Sequence, residues 1–482
     1  MGKLKTIFKD TAIYGLSSII GRFINYLLVP LYTSQLSAAS GGYGIITNIY
    51  AYVALVMVLL TFGMETTYFR FTNKTHTDSQ TVYGTTLICV GSLSLSFAAL
   101  VLLFLKPVSQ LMGYGDHPDY VGVMAVTIAV DSFLCIPFAH LRQQKKAVKF
   151  AALKLLNIVV SILLNLVYFY FMNGKDVAYV FYINLTCTAM LAVCLLTEYT
   201  GFRWRLDIRL LRTMLSYSWP ILLLGIAGIL NQTADKMLFP QLYKGSDMLE
   251  QLGIYGACSK VAMIMAMITQ AFRFAYEPIV FAGVKDKDQH EMYVQAMKYF
   301  VIFTLLAFLM VMGYLDILKA VVIRDPDYWV GLKVVPIVMA AEIMMGVYFN
   351  LSFWYKIIDK TIWGAVFSGI GCLVLLAVNI IFVPKYGYMA CAWGGFAGYG
   401  VAMVISYVVG QRYYPLAYPV KDIARYLVLA VLLTGCIQWS RHSLGLAVSL
   451  VVNTLLITVF AAVIIRRDLP LSQLPVIGRY FH

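Results

Sequence analysis

Apolar stretches of about twenty residues recur along the whole chain, and this recurrence limits what the chain can fold into. A helix of about 20 apolar residues is long enough to cross a hydrocarbon core of about 30 Å. Fourteen such stretches lie at 11–33, 43–64, 83–105, 119–140, 151–172, 177–199, 214–238, 252–280, 295–315, 329–353, 361–384, 388–410, 422–440 and 443–465. The sequence therefore predicts an all-α integral membrane protein with about fourteen transmembrane helices.

The composition excludes the main classes of soluble protein. Apolar residues make up 61% of the 482 residues and charged residues only 12%, whereas soluble domains have roughly 45–50% and about 25%. A net charge of +14 in a soluble protein would suggest a nucleic-acid partner, but here the excess of Lys and Arg is typical of cytoplasmic loops. We therefore predict no nucleic-acid partner and a chain surrounded by membrane lipids.

The positions of the basic residues predict the orientation in the membrane. Most of the 37 Lys and Arg residues fall at the N-terminus and in alternate loops, and such loops stay in the cytoplasm. With an even number of spans, both termini are then cytoplasmic. The eight cysteines lie within apolar stretches without the spacing of a zinc-ligand set, so neither a disulfide framework nor a metal site is predicted.

A weak internal repeat relates the two halves of the chain. One shift of the sequence superimposes four pairs of identical residues, namely Tyr43 with Tyr255, Gly44 with Gly256, Phe62 with Phe274, and Glu65 with Glu277. The repeating unit is six helices long, so both copies enter the membrane in the same orientation. Chance agreement between apolar segments is the alternative. The predicted organisation is an N-lobe at 1–199, a cytoplasmic linker at 200–213, a C-lobe at 214–410, and two further helices with a tail at 411–482.

Three motifs resemble those of a known transporter superfamily. The chain has Val-Pro-Leu-Tyr at 29–32 followed by Tyr-Gly at 43–44, Phe-Gly-Met-Glu-Thr-Thr-Tyr-Phe-Arg-Phe at 62–71, and Val-Pro-Lys-Tyr-Gly-Tyr-Met-Ala-Cys-Ala-Trp-Gly at 383–394. With a plan of six, six and two helices, it resembles the polysaccharide (O-antigen and teichoic type) flippases of the multidrug/oligosaccharidyl-lipid/polysaccharide exporter superfamily. The resemblance covers about residues 5–465.

This resemblance implies a mechanism as well as a fold. Two six-helix lobes would surround a central cavity and rock between inward-open and outward-open states. Their cargo would be a polyprenyl-diphosphate-linked oligosaccharide, carried from the inner to the outer leaflet of the bacterial inner membrane. Other polysaccharide-assembly proteins are candidate partners.

Charged side chains within the predicted spans are the candidate functional residues, because a charge at the bilayer centre costs about 2.5–3.5 kcal/mol unless it faces water or a partner. Arg22 lies near the middle of the first span and shares a helix face with Asn25. A guanidinium binds phosphate oxygens bidentately, but a buried pair with Asp131 or Glu342 is the alternative. The predicted substrate-binding residues of a cationic cavity are Arg22, Asn25, Lys154, Lys260, Gln270 and Arg273.

Four acidic residues are candidates for ion coupling or gating. Asp131 and Glu342 lie near mid-depth in corresponding spans of the two lobes, and each either binds H⁺ or Na⁺ during transport or statically pairs with a cation. Glu65 and Glu277 lie at the cytoplasmic ends of repeat-related spans, where salt bridges that break and reform would act as a gate. Alternatively, Glu277 neutralises Arg273, four residues before it. No cofactor is predicted beyond a coupled ion.

The sequence favours a transporter over an enzyme. It contains neither a Gly-Lys-Ser/Thr phosphate loop nor a His-Glu-x-x-His zinc motif. We therefore predict a non-enzymatic flippase, with a cation-coupled multidrug exporter of the same fold as the alternative. The sign of the charges in the cavity distinguishes the two, since a diphosphate needs Arg and Lys whereas a cationic drug favours acidic or neutral walls.

Overall fold

The computed structural model describes residues 26–74, 78–199, 205–282, 288–358 and 360–468, without the side chains at 74, 199, 274–282 and 288–289. The described residues contain helices and connections and no β-strand. The helices in the first half of the chain are α1 (Leu28–Gln35), α2 (Gly42–Thr61), α3 (Met64–Lys74), α4 (Ser79–Leu103), α5 (Leu105–Leu111), α6 (Pro118–Gln143), α7 (Ala147–Leu166), α8 (Ala178–Cys194), α9 (Leu196–Tyr199) and α10 (Ile208–Leu242).

The second half of the chain continues this all-helical pattern. Its helices are α11 (Met248–Ala282), α12 (Asp288–Gly313), α13 (Leu315–Val322), α14 (Val335–Leu351), α15 (Phe353–Ile357), α16 (Ile362–Tyr386), α17 (Tyr388–Tyr413), α18 (Val420–Ser443) and α19 (Leu446–Arg467). A 3₁₀ segment, Pro326–Val334, precedes α14, and a π-helical turn, Val167–Phe171, extends α7.

The helices match the spans predicted from the sequence. Eleven helical segments of the described ranges are long and apolar enough to cross a membrane. The short apolar helix α8 lies at the predicted sixth span, and α18, which carries several charges near its ends, lies at the thirteenth. Most of the first predicted span lies outside the described residues. The all-α membrane fold of about fourteen helices is confirmed, and the chain is a multi-pass membrane protein.

The helices expose apolar side chains and bury polar ones. Leu103 and Val431 are 75% and 63% exposed, whereas Asn48 and Asn453 are fully buried. The buried amides bond to backbone carbonyls, as where Asn453 Nδ2 donates to the Gly313 oxygen at 2.9 Å. In lipid every polar group must find its partner inside the protein. The surface is therefore suited to contact with hydrocarbon.

Contacts group the helices into two compact units. The first takes in the described residues of Met1–Ala257, Asp325–Val330 and Ile362–Gly398, and the second those of Cys258–Arg324, Gly331–Thr361 and Tyr399–His482. In the first unit, α4 packs on α6, while α2 and α16 both pack on α10. In the second, α12 packs on α14 and α18, and α18 packs on α19. The predicted lobes, 1–199 and 214–410, rest on a sequence repeat and stay a prediction.

Glycines allow α2 and the beginning of α11 to approach closely. A Cβ atom at Gly44 would lie 2.0 Å from the backbone oxygen of Leu249, and one at Gly256 would lie 2.2 Å from Thr47 Oγ1. Both distances require a residue without a side chain. Small residues commonly mark such close crossings of membrane helices. The glycines of the two superimposed Tyr-Gly pairs therefore meet at one helix crossing.

Asp316 of α13 anchors the end of α18. Arg441 donates to its two carboxylate oxygens from Nε at 2.6 Å and from Nη2 at 2.9 Å, and Lys319 Nζ lies 2.7 Å away. The hydrogen bonds from Arg441 and Lys319 hold the pKa of Asp316 well below its usual value. The three side chains are only 18–23% exposed, so water screens their interaction weakly.

Replacing Arg441 by glutamine is expected to lower the free energy of unfolding by about 2 kcal/mol at pH 7, because hydrogen bonds to charged groups are worth about 1.5–3 kcal/mol. A carboxylate with a lowered native pKa contributes its full stabilisation above the unfolded pKa of about 3.9 and loses it as the pH falls below that value. The difference between the two proteins should therefore shrink in acid. Unfolding of the detergent-purified proteins at about pH 7 and about pH 3 measures this change.

The exposed pair of Arg425 with Asp422 supplies the control for this experiment. Arg425 is 62% exposed and lies 3.1 Å from the carboxylate, and exposed pairs contribute about 0–1 kcal/mol. Arg425→Gln should therefore change stability by less than about 0.5 kcal/mol. A loss in Arg441→Gln that is equally large in acid would contradict the assigned ion pair.

Candidate functional site

Lys154 reaches from α7 onto α6 in the first unit. Its Nζ lies 4.1 Å from the centre of the Phe138 ring, a distance at which the cation and the ring attract each other. Lys154 is half-buried. Asp131, which lies about two turns before Phe138 on α6, is near enough to Lys154 to interact with it electrostatically. The structure therefore places a predicted substrate-binding cation and a predicted coupling carboxylate in the same region of the first unit.

Asp131 has further polar neighbours on α8 and α2. Its Oδ1 accepts a hydrogen bond from Thr188 Oγ1 at 2.9 Å. Tyr50 lies close enough to Asp131 to interact with it electrostatically, and the Tyr50 hydroxyl accepts a hydrogen bond from Asn184 Nδ2 at 3.3 Å. A half-buried carboxylate with one hydroxyl donor and one nearby cation can exchange a proton or a metal ion, and it can equally serve as the partner of that cation. Both interpretations of Asp131 are compatible with these contacts.

The polar end of α7 joins two helices. Asn165 Oδ1 accepts a hydrogen bond from the Tyr32 hydroxyl at 2.9 Å, and both side chains are buried. This contact ties α1 to α7, and it satisfies polar groups that lipid would leave without a partner. Asn165 therefore stabilises the first unit.

Arg273 contacts α14 in the second unit. Its guanidinium carbon lies 4.3 Å from the centre of the Phe349 ring. One turn earlier on each helix, a Cβ at Gly346 would lie 3.0 Å from Thr269 Oγ1. The contacts advance in the same direction along both helices, so α11 and α14 run parallel. Glu342, one turn before Gly346, therefore lies on a helix that is packed against the helix of Arg273.

The other predicted residues of α11 are spread along that helix. Lys260, Gln270 and Arg273 are each half-buried. At a rise of 1.5 Å per residue, Lys260 and Arg273 are about 20 Å apart along the axis. They cannot contact the same phosphate group at once. If both bind substrate, they bind different parts of it or act at different stages of transport.

Glu65 forms an ion pair with Arg142 of α6. The Arg142 guanidinium also lies 5.0 Å from the centre of the Phe69 ring. The pair is partly exposed, with 31% of the Arg142 side chain and 42% of the Glu65 side chain accessible. Arg142 lies in a stretch of the sequence that is rich in basic residues, and the sequence analysis did not single it out as a partner of Glu65. A gate formed by Glu65 and Glu277 stays a prediction.

Two predicted site residues lie outside the part of the chain that the structure describes, and a third is described only in its backbone. Arg22 and Asn25 precede the first described residue. The structure describes the backbone of Glu277, which belongs to α11, but not its side chain. The roles predicted for these residues therefore stay predictions.

A buried carboxylate on α10 was not among the predicted site residues. Asp235 is 6% exposed and accepts a hydrogen bond from the Tyr255 hydroxyl at 2.6 Å. Lys236 Nζ lies 2.9 Å from the same carboxylate. The available sequence signal was the adjacent Asp-Lys pair at the end of an apolar stretch. That signal does not reveal burial, because an end position is equally compatible with exposure.

Comparison of the sequence with family models gives a match. Residues 39–323, more than half of the chain, match the model of a family described as polysaccharide biosynthesis protein. Among curated proteins, no sequence matches significantly.

The solved structures with a similar fold include a flippase and multidrug transporters. The lipid II flippase MurJ, in an inward closed conformation, is similar with a TM-score of 0.73 and 13% identity over 95% of this chain and 99% of that one. An inward-facing multidrug resistance MATE transporter of the MOP superfamily is similar with a TM-score of 0.67 and 12% identity, over 81% of this chain and 94% of that one. A MOP superfamily transporter from Pyrococcus furiosus is similar with a TM-score of 0.56 and 14% identity, over 84% of this chain and 95% of that one. These likenesses show a common fold.

Proposed function

This chain belongs to the polysaccharide biosynthesis protein family and has the fold of MOP-superfamily transporters, and from this premise we propose that it is a flippase for a lipid-linked oligosaccharide. The cargo is a polyprenyl-diphosphate-linked oligosaccharide. The protein moves it from the inner to the outer leaflet of the bacterial inner membrane by alternating access, with both termini in the cytoplasm. It transports without chemical conversion, and H⁺ and Na⁺ are the candidate coupled ions.

The observation that carries this proposal is an apolar cleft within the second unit. It has a volume of about 640 Å³ and lies between α12, α14, α17 and α18. Its walls are almost entirely hydrocarbon and include Val301, Leu305, Met344, Val404, Leu427 and Val431. The volume is within the usual range of ligand pockets, about 300–1,000 Å³. Such walls suit part of a polyprenyl chain and offer little to a free sugar.

The charges of the described spans support a phosphate-bearing head group. Lys154, Lys260 and Arg273 are cations at half-buried positions, and such charges in membrane helices commonly mark a substrate pathway. An anionic diphosphate complements these groups, whereas a cationic drug would be repelled by them. The multidrug exporter remains the second candidate because MATE transporters share the fold.

Reconstitution into liposomes tests the function directly. A fluorescent polyprenyl-diphosphate oligosaccharide is placed in both leaflets, and a membrane-impermeant quencher reports the fraction that stays protected. We expect the protein to equilibrate this lipid between the leaflets and to leave a labelled phosphatidylethanolamine protected. Efflux of a cationic dye without movement of the glycan lipid would instead establish the drug exporter.

Filling the apolar cleft is expected to slow translocation about fivefold. A side chain that displaces part of the polyprenyl chain from the cleft would remove a hydrophobic contact worth about 1 kcal/mol. Gly435 lines the cleft, and a Cβ at this position meets no described atom within 4 Å, so Gly435→Phe would extend into the open space. Gly369 of α16 is equally open and lies outside the cleft. Gly369→Phe is therefore the matched control and should translocate at the normal rate. Equal rates for the two variants would remove the cleft from the mechanism.

A further inference from the structure

A second cavity lies entirely within the first unit, where the ends of α4, α6, α7 and α9 meet. Its volume is about 560 Å³, and none of the predicted transport residues lines it. Unlike the apolar cleft, this cavity has mainly polar walls, which include His140, Gln143, Gln144 and Lys146. It lies beside the basic cluster at 142–149. The positive-inside rule assigns this end of the helices to the cytoplasm.

Glu198 is the carboxylate in the cavity wall, and its charge is already balanced. It is 8% exposed, and its Oε1 accepts a hydrogen bond from Lys149 Nζ at 2.6 Å. Lys149 also donates to Thr197 Oγ1 at 3.1 Å. Lys146 Nζ lies 4.0 Å from Oε2 of Glu198, and its side chain is 48% exposed. One cation is thus tightly paired, and the second adds a net positive charge to the cavity.

A network of aromatic contacts fixes the shape of the cavity wall. The His140 ring stacks on Tyr83 with 4.1 Å between the ring centres. Tyr68 and Gln144 lie within hydrogen-bond distance of the two His140 ring nitrogens, at 2.8 and 2.6 Å. The Tyr83 hydroxyl donates to the backbone oxygen of Glu198 at 3.2 Å. Side chains of α3, α4 and α6 and the backbone of α9 are thus joined, so the cavity is preformed.

The first turn of α4 supplies polar groups to the cavity wall. Ser79 and Gln80, at the beginning of this 25-residue helix, line the cavity. Asp78 caps the helix, because its Oδ1 accepts a hydrogen bond from the Gln80 backbone N–H at 3.3 Å, and its carboxylate offsets the partial positive charge of the helix end. The charge that favours an anion therefore comes from Lys146, and the amide and hydroxyl groups of the wall favour a ligand that also carries hydroxyl groups.

We propose that this cavity binds the phosphate group of a hydroxyl-bearing phosphate ester, with Lys146 as the principal charge contact. The ester is either the head group of an anionic phospholipid or a soluble sugar phosphate, since both present the same chemistry. The proposal is independent of the transported cargo. It would hold equally for a drug exporter of this fold.

Binding measurements on the full-length protein test this site. Glycerol 3-phosphate and glucose 1-phosphate are titrated calorimetrically into the protein in phosphatidylcholine nanodiscs. We expect saturable binding that weakens about tenfold in Lys146→Gln, since a lost charge contact of about 1.4 kcal/mol corresponds to that factor. Lys145 is exposed and does not line the cavity. Lys145→Gln therefore removes the same charge one residue away, and it should change the affinity less than twofold.

Nanodiscs that contain phosphatidylglycerol distinguish the two sources of the phosphate. If the lipid head group is the ligand, phosphatidylglycerol should raise the melting temperature of the native protein and of Lys145→Gln but not of Lys146→Gln, and it should displace glycerol 3-phosphate. If the ester is soluble, phosphatidylglycerol should leave its binding unchanged. Failure of both soluble esters and of the lipid to bind, or equal losses in the two variants, would overturn the proposal.

Discussion

Replacing Lys154 by glutamine is expected to lower the rate of glycan-lipid translocation at least tenfold while protein abundance stays normal. A hydrogen bond to a charged group is worth about 1.5–3 kcal/mol, which corresponds to roughly 10-fold to 150-fold in rate. The side chain is half-buried over Phe138, where water would screen a contact between its ammonium group and a phosphate less than at the surface. The liposome assay described above measures the rate.

A second variant separates substrate binding from a static role for Lys154. If Lys154 only balances Asp131, the single substitution leaves a half-buried carboxylate without its cation and lowers abundance. The double replacement Asp131→Asn with Lys154→Gln would then restore normal abundance and transport. If Lys154 binds the diphosphate, the double variant stays slow. Lys106 is exposed at α5, so Lys106→Gln controls for the general loss of a positive charge.

Replacing Gly44 by alanine is expected to destabilise the protein by about 3 kcal/mol, the upper part of the usual range for overpacked sites. The new Cβ would lie 2.0 Å from the backbone oxygen of Leu249. A backbone atom cannot move aside by changing rotamer, so α2 and α11 would have to separate. Abundance and unfolding in mixed detergent micelles measure the loss. Gly228 of α10, where a Cβ meets no described atom within 4 Å, supplies the control, and Gly228→Ala should be neutral or stabilising by up to about 1 kcal/mol.

The same helix crossing offers a rescue experiment. The Cβ of Gly256→Ala would meet the side chain of Thr47, with Oγ1 at 2.2 Å and Cβ at 3.1 Å. Adding Thr47→Ala removes Oγ1 and also Cγ2, which would lie at 2.9 Å, so it should restore most of the stability lost in Gly256→Ala. Leu249→Ala should not rescue Gly44→Ala, because the clash there is with the backbone. Rescue in both cases, or in neither, would contradict the geometry of this crossing.

The sequence predicted the family better than it predicted the substrate. The motifs at 62–71 and 383–394 favoured polysaccharide flippases, and the family match at 39–323 confirms that branch. The glycan leaves no comparable pattern. A sugar is recognised by hydroxyl and amide groups from several helices, and such groups also satisfy the ordinary structural needs of a membrane protein. Asn165 illustrates this ambiguity, because its polar side chain bonds to Tyr32.

The sequence by itself determined that about fourteen apolar helices cross the membrane, because each helix satisfies its own backbone hydrogen bonds and needs only enough apolar residues to cross the bilayer. Only the tertiary structure decided which charges are paired and which are buried. The ion pair of Glu65 with Arg142 and the burial of Asp235 against Tyr255 join residues of different helices. Contacts between helices depend on how side chains pack, and a one-dimensional pattern of hydropathy does not contain that information.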